Sequence, residues 1–199
     1  MKRILFFFFI LFSLLLVNAQ SFKGGVRAGF TASQLSGDNM SGYHKLGVYA
    51  GGYIKFPFNK IWSLQTELNF IMKGSSNIVN LSATNPYLYY INLFYIQVPL
   101  LPKVQLFKNC ELELGPVLNV LCFGAEYDAY GQIRNRKPFK RWEVSGIVGA
   151  TYLIKEHYGL NLRYEVSLTP IRKADETTWY IHRKRQFSDL FSFSFLYQF

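Results

Sequence analysis

The chain has little that could cross-link it or hold a cofactor. Among its 199 residues only Cys110 and Cys122 are cysteines. On one extended strand they lie roughly 40 Å apart at about 3.3 Å per residue. A disulfide needs Cα atoms within about 7 Å, so the pair reads as two small apolar residues. Spacings of the His-x-x-x-His or Cys-x-x-Cys type are absent, and so are the glycine loops that cradle nucleotides. No cofactor and no metal is expected. Charged residues make up only 17% of the chain. After the first twenty residues no apolar run reaches the roughly 20 residues a membrane-crossing helix needs.

The opening segment belongs to targeting rather than to fold. Lys2 and Arg3 precede Ile4 to Val17, an apolar stretch interrupted only by Ser13. Val17-Asn18-Ala19 follows with cleavage-site spacing, which predicts a signal peptide over 1–19 and a mature domain over 20–199. No cysteine stands near that site, which argues against a lipoprotein. The formal net charge is +10, yet nucleic acid is no partner for an exported chain.

What the chain does have is aromatic surface, with 19 Phe and 14 Tyr. Its last stretch, Phe187–Phe199, puts Phe191, Phe193, Phe195, Tyr197 and Phe199 on one face because strand side chains alternate with period two. Ser192, Ser194 and Gln198 take the other face, with Leu190 and Leu196 among them. Seven more stretches have strand character: Lys23–Ser33, Lys45–Phe56, Ile61–Lys73, Tyr89–Leu106, Cys110–Glu126, Phe139–Ile154 and His157–Leu168. Most exceed the about 9–11 residues that cross a bilayer at a tilt. Soluble domains favour strands nearer five or six residues.

Connection lengths carry the same message. Pro57–Lys60, Phe107–Asn109 and Lys155–Glu156 are short, and they alternate with Gln34–His44, Gly74–Leu88, Tyr127–Pro138 and Thr169–Gln186. Transmembrane barrels show this asymmetry, with tight periplasmic turns and longer outer loops. The polar phase of each strand is too thin to coat an exterior, as a soluble barrel would require, so the apolar phase must meet lipid. The predicted fold class is all-β, an eight-stranded antiparallel up-and-down transmembrane β-barrel. Tyr53, Trp62, Trp142, Tyr152 and Tyr158 are expected in interfacial girdles. Gly47, Gly51, Gly52, Gly146 and Gly149 are expected to make room in a narrow interior. Bulges or ladder ends are expected at Pro99, Pro102 and Pro116.

A family resemblance follows from particular segments. Asn92-Leu-Phe-Tyr-Ile-Gln-Val-Pro-Leu-Leu-Pro-Lys103 resembles the tyrosine–x–x–x–proline–leucine–leucine–x–lysine segment of PorT-like outer-membrane β-barrel proteins of Bacteroidetes. Glu113-Leu-Gly-Pro116, Leu162-Arg-Tyr164, Leu168-Thr-Pro-Ile171 and Gly24-Gly-Val-Arg-Ala-Gly29 are similar to further segments of that family in the same order. Pro102 departs from the pattern, where the family more often has an aliphatic residue. The resemblance implies an eight-stranded barrel in the outer membrane of a Gram-negative bacterium, inserted by the outer-membrane assembly machinery, whose substrates typically end in an aromatic residue. It implies no catalytic residues. It adds one alternative, an accessory role beside secretion-apparatus proteins.

Two groups of residues are candidate sites. Lys55, Glu67, Lys103, Glu111, Glu113, Glu143, Arg163 and Glu165 all fall on the inward phase. Unpaired charge costs several kcal/mol to bury, so an internal salt-bridge network is expected. A selective ion path is the lesser reading, because eight strands leave little room for water. The second group lies in the third and fourth outer loops: Arg134, Arg136, Lys137, Lys140 and Arg141, then Arg172, Lys173, Arg183, Lys184 and Arg185. Against these ten bases stand Glu126, Asp128, Asp175 and Glu176, a local excess of +6. Guanidinium forks suit phosphate, which points to contact with outer-membrane lipid and lipopolysaccharide. A lipid-modifying site drawn from Ser36 or Ser41, His44 or His182, and Asp38 or Asp175 has no spacing to support it. The reading is a noncatalytic structural or interaction protein.

Overall fold

Side-chain alternation with period two organises every long strand. The computed structural model describes residues 22–36, 42–76, 89–128, 130–133, 138–173 and 185–199. The signal segment 1–19 lies outside them. In chain order the strands are β1 (Lys23–Ser36), β2 (Lys45–Pro57), β3 (Trp62–Ser76), β4 (Tyr90–Phe107), β5 (Cys110–Asp128), β6 (Gly131–Gln132), β7 (Trp142–Leu153), β8 (Tyr158–Ser167), β9 (Arg172–Lys173) and β10 (Arg185–Gln198). The two-residue strands β6 and β9 pair antiparallel with the long-loop ends of β5 and β10.

The eight long strands form one closed antiparallel ring. Each pairs with its sequence neighbour, and β10 returns to β1 from Gly25↔Gln198 to Ser36↔Phe187. Closure leaves no unpaired sheet edge in lipid, where an unsatisfied backbone group costs several kcal/mol. The predicted architecture is observed. Boundaries move by a few residues: β5 runs on to Asp128, β7 begins at Trp142, and β10 begins at Arg185.

The ladder breaks expected at the prolines are observed, and the bulges are not. Pairing of β4 with β5 lapses between Pro99↔Val117 and Lys103↔Glu113, yet the register is the same on both sides. Missing N–H donors interrupt the ladder there without inserting a residue. The register shifts fall elsewhere, between Phe94 and Tyr95 and between Gln105 and Phe107. At the first, Phe94 faces Phe123 while Tyr95 faces Leu121, so Cys122 is the extra residue. Both cysteines are free thiols.

The outer surface is apolar. Phe30, Leu114 and Phe195 are exposed by 68%, 67% and 62%, while inward Arg163 is only 1% exposed. Trp62, Trp142, Tyr152 and Tyr158 face outward as expected, but Tyr53 is buried. Tyr53 shares the phase of Tyr49 and Lys55, both inward. Gly52 and Gly146 likewise miss the interior, since a Cβ on either would meet nothing closer than 3.6 Å. Gly149 does make room: its Cβ would sit 2.8 Å from both Arg163 Cγ and Glu113 Oε1.

The interior is layered. Leu35, Tyr49, Ile71, Ile91, Leu93, Tyr95, Ile171 and Leu190 form an apolar cluster, packed against Tyr89, Leu121 and Phe139. Most of these residues lie toward the long-loop ends of their strands. A smaller cluster joins Leu101, Val117 and Ile147. Polar side chains occupy the remaining lumen. The outer end of the interior is thus an apolar layer.

Candidate functional site: the charged lumen and its two mouths

Each charged group enters the lumen because it shares a phase with the small polar residues of its strand. Glu67 lies between Gln65 and Asn69 on β3, and both amides donate to it, at 2.5 and 2.7 Å. Arg163 reaches across from β8 with Nη2 and Nη1 at 2.6 and 2.8 Å from the two Glu67 oxygens. Its Nε donates to Glu113. Arg27 adds Nη1 to Glu67 at 2.8 Å, and its Nη2 donates to Asn161 at 2.5 Å and Ser194 at 2.7 Å. Tyr49 Oη accepts from Arg163 at 2.9 Å and donates to Glu67 at 3.2 Å.

Two further clusters flank this centre. Toward the long loops, Lys73 Nζ lies 3.1 Å from Glu143 and 2.6 Å from Glu165. Gln97 and Asn119 donate to Glu165, while Ser145 and Ser188 donate to Glu143. Toward the short turns, Lys103 Nζ lies 2.9 Å from Glu113 and 3.6 Å from Glu111, and Lys55 also binds Glu111.

All eight lumen residues expected from the sequence thus enter one chain of contacts. Arg27 and Lys73 complete it and had not been singled out. Their signal was the strand phase: Arg27 alternates with outward Val26 and Ala28, and Lys73 continues the inward series of Glu67 and Asn69. With them this network contains, among the described residues, five cations and five carboxylates. Buried charge is tolerated when paired and hydrogen-bonded, and here it is balanced.

The outer mouth changes the second candidate group. Arg172 is buried, with Nη2 at 2.8 Å from Glu126 and its guanidinium 3.8 Å from the centre of the Phe139 ring. Tyr89 Oη donates to the same carboxylate. Arg172 is therefore a brace across the mouth and not an exposed contact for lipopolysaccharide. Its inward turn follows from Glu126, which would otherwise lack this buried cation. Lys140, Arg141 and Arg185 are exposed there. Lys173 pairs with Arg185 in the β9–β10 register. Arg134, Arg136, Lys137, Arg183 and Lys184 lie outside the described residues. So do Ser41, Asp38, Asp175 and His182 of the lipid-modifying combination; Ser36 donates instead to Asp189 at 3.2 Å. No group of metal-ligating side chains is present among the described residues.

A closed barrel with an apolar belt, a paired interior and short turns at one end defines a transmembrane barrel of the outer-membrane type. The chain belongs to the family of outer membrane protein β-barrel domains, whose model matches residues 18–173. It is an outer-membrane protein. Among solved structures it is similar to Ail, the attachment invasion locus protein of Yersinia pestis, in complex with the heparin analogue sucrose octasulfate. That match has a TM-score of 0.52 at 13% identity and covers 89% of this chain and 99% of Ail. Neisserial surface protein A matches with a TM-score of 0.58 at 14% identity, covering 89% of this chain and 97% of that one. At these identities the likeness is one of fold. No curated protein matches the chain.

Proposed function

We propose that the protein is a noncatalytic interaction protein of the PorT-like group, exported by its 1–19 signal peptide, whose outer rim contacts lipopolysaccharide. The carrying observation is how the charge divides. Lumen cations are matched by carboxylates, so the basic excess lies outside the lumen, and at the outer rim Lys140, Arg141 and Arg185 are exposed. Lipid A phosphates at that height offer compact double charges to guanidinium and ammonium groups. The complex of Ail with a polysulfated sugar gives a parallel on the same fold. The paired and partly apolar lumen argues against a water-filled path. A role beside secretion-apparatus proteins has no observation of its own in this fold.

The test is lipid A binding by the refolded barrel, wild type against K140Q/R141Q/R185Q. The variant should bind several-fold more weakly, with a shallower salt dependence, because exposed pairs contribute about 0.2–1 kcal/mol each. Unchanged affinity and unchanged salt dependence would remove the reading.

A further inference from the structure

The short-turn end of the barrel opens into a vestibule of about 660 Å³, within the roughly 300–1,000 Å³ typical of ligand sites. Its charged lining is dominated by four lysines: Lys23 from β1, Lys55 from β2, Lys108 from the β4–β5 turn and Lys155 from the β7–β8 turn. Only Glu111 and Glu156 oppose them in the lining. Glu111 is already committed, held by Lys55 and lying 3.6 Å from Lys103.

Three other polar residues of the wall are hydrogen-bonded. His157 Nδ1 lies 2.8 Å from the Gln198 carbonyl, Gln198 Nε2 donates to Glu156 O at 3.3 Å, and Gln105 Nε2 donates to Lys108 O at 2.9 Å. These bonds brace the turns that carry the lysines. Lys23, Lys108 and Lys155 make no ion pair among the described residues. Between them lie apolar surfaces from Ile61, Leu153 and Phe199.

We propose that this vestibule binds an acidic peptide segment of a periplasmic partner. Carboxylates would meet the rim lysines, and an apolar side chain would lie on Ile61, Leu153 and Phe199. The mixture favours a peptide over a compact phosphate: the lining cations are separated point charges on different strands and turns, with no guanidinium fork among them. A free inorganic anion would leave the apolar wall uncovered. In this proposal the ligand stops at the Lys55–Glu111–Lys103 contacts and does not enter the lumen. This site is independent of the outer-rim reading, since it lies at the opposite mouth.

The experiment is calorimetric titration of the refolded full barrel with an N-acetylated pentapeptide alternating glutamate and leucine. Its glutamine–leucine counterpart and inorganic phosphate serve as comparison probes. The glutamate peptide should bind about tenfold more tightly than the glutamine peptide, and K23Q/K108Q/K155Q should lose about tenfold in affinity. The three lysines are exposed at the rim, so the variant should keep its heat-modifiable gel shift. If it does not, the salt dependence of the wild-type titration decides, and a slope of zero overturns the proposal. Equal binding of both peptides, full affinity in the folded triple variant, or phosphate competing at the peptide's own affinity would each overturn it as well.

Discussion

Arg163 and Glu67 meet face to face in the middle of the barrel, through two N–H···O bonds of 2.6 and 2.8 Å. They are 96 residues apart in sequence and stand on β8 and β3. The same carboxylate also takes Arg27, so one glutamate serves two buried guanidiniums.

Removing that carboxylate should be severe. Glu67→Ala leaves Arg27 and Arg163 short of a counter-charge, and stripping one partner from a buried pair costs about 3–5 kcal/mol. Urea unfolding in detergent should show a midpoint well below wild type. A shift inside experimental error would mean that water hydrates the two guanidiniums.

Gly149 offers an independent probe of the same centre. In Gly149→Leu the new side chain would begin 2.8 Å from Arg163 Cγ and Glu113 Oε1. Overpacking of this kind costs about 1–3 kcal/mol. Gly146→Leu, on the lipid side with its nearest neighbour at 3.9 Å, should fold like wild type. Comparable losses in both variants would contradict the assignment of faces.

Leu162 tests the membrane face. It lies midway along β8, is 56% exposed and pairs with Ala150 and Phe193. Leu162→Arg should cost about 2–4 kcal/mol for a charge near the bilayer midplane. Folding into lipid vesicles, followed by the heat-modifiable gel shift, should fall sharply. Tolerance of the arginine would place this face in water.

The outer layer of Leu35, Ile91, Ile171 and their neighbours, braced above by Arg172 and Glu126, separates the polar network from the surface. Planar-bilayer recordings of the purified barrel should therefore stay at baseline conductance. Discrete ion-conducting steps would show that the layer opens.

The division between what was legible and what was not follows side-chain phase. Alternation placed Glu67, Arg163, Glu165 and the others inward correctly, because a period of two leaves each strand residue only two sides. The same rule holds for Arg27 and Lys73, which share the inward phase of β1 and β3. The girdle expectation failed for Tyr53, where aromatic character pointed outward although the strand phase pointed inward. Nor did the alternation rule reach Arg172, which lies past β8 in the two-residue β9 and answers to Glu126 near the outer end of β5.

The local sequence therefore determined the strand number, the closed antiparallel order, the lipid-facing side and the end that carries short turns. All depend on period, length and turn chemistry, which act between near neighbours. Tertiary structure alone decided which charges pair, that Arg172 turns in to Glu126, and that apolar residues from many strands meet in one sealing layer. Those outcomes rest on register and barrel closure, which bring together residues such as Arg27 and Asn161, 134 positions apart. Coulomb energy and desolvation depend on those distances in space, and separation along the chain does not contain them.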